Sequence, residues 1–167
     1  MKLIYRTAYM NKLASAMGTP DIKVITGIRR CGKSKLLEAF ADQIRASFPT
    51  ANIIRINFNL LEFEPLMQYR ALHDYVEKHF VEGCNNVVII DEVQMCEGFE
   101  KAINSLHASE KYDIYITGSN AFLLSNDLST LFTGRTFEVE VFPFSLAEFA
   151  QYHEITSPDE ALARYLR

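Results

Sequence analysis

Apolar residues recur along this chain in two rhythms that take turns. Short, strongly apolar or alternating runs at 22–26, 52–57, 86–90, 113–117 and 136–141 read as strands. Between them, spacings of three and four residues read as helices. Residues 3–17 form an entry helix in this reading, with Leu3, Tyr9, Met10, Leu13, Ala14 and Met17 on a partly apolar face and Gly18-Thr19-Pro20 ending it. Further helices are predicted at about 33–47, closed by Phe48-Pro49, and at about 66–82, with Leu72, Val76, His79 and Phe80 at helical spacing. Others follow at about 97–109, with Phe99, Ile103 and Leu106 inward, at about 120–131, and at 145–153, and a last one begins near Pro158.

The run at 86–90 is apolar on both faces, as a central parallel strand should be, whereas 136–141 alternates and suits a sheet edge or a one-sided strand. Strand alternating with helix throughout predicts an α/β fold, a parallel sheet with right-handed crossovers and helices on both faces. Ligands of such sheets bind beyond the carboxyl ends of the strands. Composition agrees with one globular domain: 167 residues, 49% hydrophobic and 23% charged. A net charge of −4 gives no global basic character that would point to nucleic acid, and Arg29-Arg30 form only a small basic step. Cys31, Cys84 and Cys96 are odd in number and lack CxxC spacing, which argues against a disulfide framework or a zinc site and for reduced thiols in a cytoplasmic protein. Residues 1–6 lack a signal-peptide core, and no apolar run reaches the length of a membrane span. His73, His79, His107 and His153 are scattered, and no metal role is expected of them.

Candidate chemistry sits at three strand ends. Gly27-Ile28-Arg29-Arg30-Cys31-Gly32-Lys33-Ser34 has the form G-x-x-x-x-G-K-S between a strand and a helix. Glycines let such a loop close around a polyphosphate, its successive N–H groups form an anion nest, and the helix N-terminus adds its dipole. Lys33 is expected to reach the β- and γ-phosphates and the Ser34 hydroxyl to hold Mg²⁺. Asp91-Glu92 ends an apolar strand, a pattern in which the first acid holds the metal and the second polarises an attacking water; the same pair could instead cap the following helix. Thr117-Gly118-Ser119-Asn120 could set a polar side chain, Ser119 or Asn120, near the γ-phosphate, or simply cap a helix. Arg135 is a candidate arginine finger, in cis or in a neighbouring subunit, or a structural arginine at a glycine turn. Arg29 and Arg30 either touch phosphate or base or stay solvated, and Cys31 is a passive filler or a redox-sensitive thiol.

Taken in order, G-I-R-R-C-G-K-S, V-I-I-D-E-V-Q, I-T-G-S-N-A-F-L-L-S, L-F-T-G-R and F-P-F-S-L-A-E-F resemble the prokaryotic AAA-like ATPases (AAA+ superfamily) that usually carry a nuclease-like domain of unknown function at their C-terminus. The resemblance runs from about residue 20 to 150. It implies a P-loop fold with sheet order 5-1-4-3-2, and ATP with Mg²⁺ as the bound group. It also implies Lys33 and Ser34 on phosphate and metal, Asp91 supporting the metal, Glu92 as catalytic carboxylate, and Ser119 or Asn120 as sensor. Lys35 stands where members usually have Thr or Ser, at a position that bears on the α-phosphate. The expected organisation is an entry helix at 1–20, an ATPase core at 21–150, and the start of a lid or next domain at 151–167. The expected function is an ATP-hydrolysing core that passes nucleotide state to further domains or partners. A nucleotide-gated interaction module with little hydrolysis is the alternative, and a small-molecule kinase is less favoured because Glu92 suits water activation.

Overall fold

The computed structural model describes residues 4–119, 128–132 and 134–166. Its five strands, β1 (Ile22–Thr26), β2 (Asn52–Asn57), β3 (Asn86–Asp91), β4 (Tyr112–Thr117) and β5 (Thr136–Glu140), form one sheet in the order β2-β3-β4-β1-β5. This is the 5-1-4-3-2 order read from the other edge. Every pairing is parallel. The helices are α1 (Thr7–Ala16), α2 (Lys33–Ser47), α3 (Tyr69–Lys78), α4 (Phe99–Ala108), the short α5 (Leu128–Leu131), α6 (Leu146–His153) and α7 (Pro158–Tyr165). Two 3₁₀ turns, Leu61–Leu66 and Val93–Met95, complete the described elements.

The period-two geometry of the strands splits the apolar residues between two cores. On β3, Val88 and Ile90 face Leu72 and Val76 of α3 and Ile103 and Leu106 of α4. Val87 and Ile89 face the other way, toward Met10 and Leu13 of α1 and Leu37, Phe40 and Ile44 of α2. Both faces of the central strands are therefore dry, which is why they read as continuous apolar runs. The alternating strand β5 takes a sheet edge, with Val139 buried between exposed Glu138 and Glu140.

Three helices are shorter than their periodicity predicts. Helix α1 starts at Thr7 rather than 3, because Arg6 adopts non-helical dihedrals just ahead of it. Helix α3 spans 69–78 rather than 66–82. Its start is delayed because Glu97 N–H donates to the Met67 carbonyl and Tyr69 N–H donates to the Glu97 carbonyl, a parallel bridge that keeps Gln68 extended. That bridge and the left-handed Gly98 also hold back α4 to Phe99. At its other end α3 stops because the His79 N–H is shared between the Tyr75 and Val76 carbonyls and its own carbonyl accepts Asn52 Nδ2 at 2.7 Å. His79 is thus a cap, and Phe80 leaves the helix to pack edge-on against Tyr112. Of the predicted helix at 120–131, only 128–131 falls within the described residues and is helical.

One polar residue sits inside β1. Lys23 is fully buried, and its ammonium donates to Asp113 Oδ1 at 2.5 Å and to the Thr19 carbonyl at 2.7 Å. The carboxylate also accepts the Gly18 N–H and the Tyr115 hydroxyl. Burial, with Asp113 beside it, pushes the Tyr115 phenol far above its ordinary range. Among the described residues no helix is long and apolar enough to cross a membrane.

Candidate functional site

Parallel pairing brings the carboxyl ends of β1, β4 and β3 side by side. Ile25 of β1 pairs with Thr117 of β4, and Ile116 of β4 pairs with Ile90 of β3. The glycine loop, Ser119 and the Asp91-Glu92 pair thus emerge from three adjacent strands on one rim of the sheet.

The loop is held closed by its own residues. A β-carbon on Gly27 would lie 2.3 Å from the Val141 carbonyl oxygen and 2.7 Å from Cys31 Sγ, so only glycine fits against the chain leaving β5. Val141 N–H in turn donates to the Thr26 carbonyl at 2.8 Å. Arg30 and Gly32 take φ of +66° and +97°, left-handed turns that curl the backbone toward the start of α2. Lys33 is buried, with its ammonium donating to the carbonyls of Gly27 at 3.0 Å and Ile28 at 3.2 Å across the loop. Cys31 packs its side chain into the core beneath α1 and α2. Ser34 is exposed in the first helical turn, as are Ile28, Arg29 and Arg30 on the loop. Lys35 turns outward to Glu38 at 2.5 Å, and this bond is the main cause that holds the Glu38 carboxyl below its ordinary value.

Asp91 is buried at the end of β3, where its carboxylate accepts a short hydrogen bond from the Thr117 hydroxyl. The same hydroxyl oxygen accepts the Glu92 N–H at 2.9 Å. Glu92 stands in the left-handed region, φ +57°, and is half-buried. Its side chain accepts a short hydrogen bond from Gln94 Nε2, while Gln94 Oε1 is buried without a partner among the described residues. Thr117 and Gln94 went unassigned in the sequence. Thr117 does stand at a strand end, but its role depends on β4 pairing with β3.

Ser119 follows β4 and is half-buried on the same rim. Asn120 lies outside the described residues. Arg135 does not join the others. It is exposed, and its carbonyl accepts the Ile22 N–H at 2.9 Å, which sets it at the start of β1. The loop lies at the far end of that strand, roughly 15 Å away at 3.3 Å per residue. Its position does not favour a role in cis.

Arg6 went unassigned in the sequence. It is buried, and its guanidinium gathers three segments. Nη1 donates to the Cys31 carbonyl of the loop at 3.1 Å, and Nη2 to the Phe142 carbonyl after β5 at 2.9 Å. Nε and Nη2 form a two-pronged pair with Glu148 of α6 at 2.8 and 3.0 Å. Tyr9 and Phe144 lie against the guanidinium faces at 4.4 and 5.3 Å. Glu148 also closes a capping box, accepting the Ser145 N–H at 2.8 Å. Arg6, with Arg30 and Lys35, also borders a largely apolar cavity of about 300 Å³ that has Ile4, Cys31, Gly32, Leu36, Pro143, Phe144 and Tyr152 in its walls.

Burial opposes ionisation of Glu148, but the Arg6 guanidinium and the Ser145 N–H outweigh it and hold the carboxyl below its ordinary value of 4.5. A depressed folded value contributes stability that is fully present above the unfolded value and is lost as pH falls through the folded one. Thermal melts of wild type and Glu148→Gln should therefore differ by a constant gap near neutral pH, and the gap should close below about pH 4.5. A gap that widens in acid would contradict the assignment.

Residues 19–150 match the family model AAA_14, described as an AAA domain. The chain is similar to an uncharacterized protein of Haemophilus influenzae, 35% identical over 157 residues that make up 93% of this chain and 39% of that protein. It is also similar to the uncharacterized protein MJ1544 of Methanocaldococcus jannaschii, 31% identical over 137 residues, 78% of this chain and 28% of that protein. The chain therefore spans less than half the length of these curated relatives. Among solved structures, Aeropyrum pernix ORC1 in complex with DNA superposes with a TM-score of 0.67 over 95% of this chain and 50% of that one. At 12% identity this is a likeness of fold alone.

Proposed function

This chain belongs to the AAA domain family, and we propose that it is the ATP-binding, Mg²⁺-dependent hydrolysing core of a larger AAA-like ATPase. The observation that carries this reading is Thr117. Its strand abuts the strand that leads into the phosphate loop, and its hydroxyl holds both Asp91 and the Glu92 N–H. The groups read here as binding and hydrolysing thus stand on one rim, which supports the reading.

In this reading the N–H groups of the 27–34 loop cradle the phosphates, and Lys33 turns an ammonium N–H from the loop carbonyls to a phosphate oxygen. The base enters the apolar cavity beside Gly32. Ser34 and Asp91 offer hydroxyl and carboxylate oxygens, the hard donors that suit Mg²⁺. When bound, the ion neutralises charge on the β- and γ-phosphates. Glu92 accepts a proton from the attacking water and aims it at the γ-phosphorus, with Ser119 or Asn120 contacting that phosphate as sensor. Arg135, at the far end of β1 and β5, serves the phosphates of a neighbouring copy in an oligomer. The core works in the cytoplasm and passes nucleotide state to further domains, a nuclease-like domain among them, or to protein partners. Its net charge of −4 gives no support to nucleic-acid contact by this chain, and in this reading such contact belongs to those other domains.

Equilibrium binding of ATP and phosphate release, measured on wild type and Lys33→Ala, test the reading. Wild type is expected to bind and release phosphate. Lys33→Ala should bind at least about tenfold more weakly, the worth of one hydrogen bond to a charged group, and should release no measurable phosphate. Equal binding by both proteins would refute it. Tight binding without release by wild type would instead favour the nucleotide-gated interaction module.

A further inference from the structure

We infer that Arg6 is a positioning residue for the phosphate loop, and that Glu148 acts through it to make polyphosphate affinity depend on the seating of α6. The inference rests on the nucleotide-binding reading above and adds to it a residue outside the loop motif.

The geometry runs through one peptide plane. All peptide bonds of the described chain are trans. In a trans peptide the carbonyl and the following N–H point in opposite directions. Arg6 Nη1 holds the Cys31 carbonyl at 3.1 Å, so the Gly32 N–H of the same plane is turned away from Arg6. Gly32 is the N-cap of α2, where successive N–H groups assemble into an anion nest. Freed from Arg6, the 31–32 peptide can rotate at Gly32, whose φ of +97° lies in a region glycine leaves at little cost. Rotation would present the Cys31 carbonyl, rather than an N–H, to the phosphates.

Arg6 itself cannot wander. The two-pronged Glu148 pair, the Phe142 carbonyl and the flanking Tyr9 and Phe144 rings fix its plane. The Glu148 carboxylate is set by the first turn of α6 through Ser145. A displacement of α6 therefore reaches the loop in two hydrogen-bonded steps, Glu148 to Arg6 and Arg6 to the Cys31 carbonyl.

The test uses inorganic tripolyphosphate, ATP and adenosine as probes, on wild type, Arg6→Lys, Glu148→Gln and the double variant. Lysine keeps the charge but lacks the planar fork that serves both partners. Arg6→Lys should weaken tripolyphosphate binding about tenfold and raise KM for ATP with kcat within about twofold, as expected when ground-state and transition-state binding fall together. Glu148→Gln, which preserves shape and does not line the base cavity, should weaken tripolyphosphate in the same direction and leave adenosine binding unchanged. Its effect should vanish in the Arg6→Lys background, because it acts through Arg6. Measurements are made below the melting transitions of all four proteins; should Arg6→Lys not fold, Glu148→Gln alone decides. Unchanged tripolyphosphate affinity in a folded variant overturns the inference, and so does an equal loss for adenosine in Glu148→Gln. If wild type binds neither ATP nor tripolyphosphate, the nucleotide reading falls and takes this one with it.

Discussion

Glu92→Gln is expected to bind ATP as tightly as the wild type while releasing phosphate about 10²–10⁴-fold more slowly, the usual worth of a positioned general base. The amide keeps the size and hydrogen-bonding reach of the carboxylate but accepts no proton from water. The backbone around it should not move, since the Glu92 N–H still donates to Thr117 and the residue keeps its left-handed turn. Single-turnover phosphate release with ATP at saturation separates the chemical step from binding, and a fluorescent ATP analogue reports affinity. A variant that hydrolyses at the wild-type rate would remove Glu92 from the mechanism. One that loses binding as well would show that the carboxylate holds the loop rather than the water.

The second large effect is on stability and arises at the opposite end of the sheet. Asp113→Ala should cost about 3–5 kcal/mol, because it strands the fully buried Lys23 ammonium without its counter-charge. At about 2–4 °C per kcal/mol for a chain of this size, the melting temperature should fall by roughly 10 °C. Replacing both partners by apolar residues, Lys23→Met with Asp113→Leu, should recover only part of that loss: the desolvation penalty disappears with the pair, but the Tyr115 hydroxyl, the Gly18 N–H and the Thr19 carbonyl lose their partners. Nucleotide binding at a temperature where both proteins are folded should be unchanged, because the pair lies at the starts of β1 and β4, away from the loop. Thermal denaturation followed by circular dichroism checks the series. A drop confined to about 1 kcal/mol would mean that water reaches Lys23 from the side where Asp113 is partly exposed.

Much of the fold is visible in residue order. The strands at 22–26 and 52–57 and the helix at 33–47 coincide with β1, β2 and α2, because each is bounded by residues that cannot continue it, such as the glycine loop and Phe48-Pro49. Of the three misjudged helices, α3 and α4 are cut by contacts from elsewhere in the chain, above all the bridge between Gln68 and Glu97, and α1 by the non-helical backbone of Arg6. A local pattern carries no trace of a partner 29 residues away.

The candidate site divides along the same line. The phosphate loop and the paired acids are written in consecutive residues, because a backbone nest and a strand-end carboxylate are local geometries that only certain residues can form. That order determined the family, the chemistry to look for and the alternation of strand and helix. Tertiary structure alone decided which groups stand together on that rim. It set Thr117 against Asp91 across two strands, and it left Arg135 at the wrong end of the sheet for its own loop. It also carried Arg6 into the core against Cys31 and Glu148, 25 and 142 residues distant. These are contacts between side chains and backbone far apart in sequence. Their energies come from burial and alignment, and neither exists until the sheet has closed and the helices have packed against it.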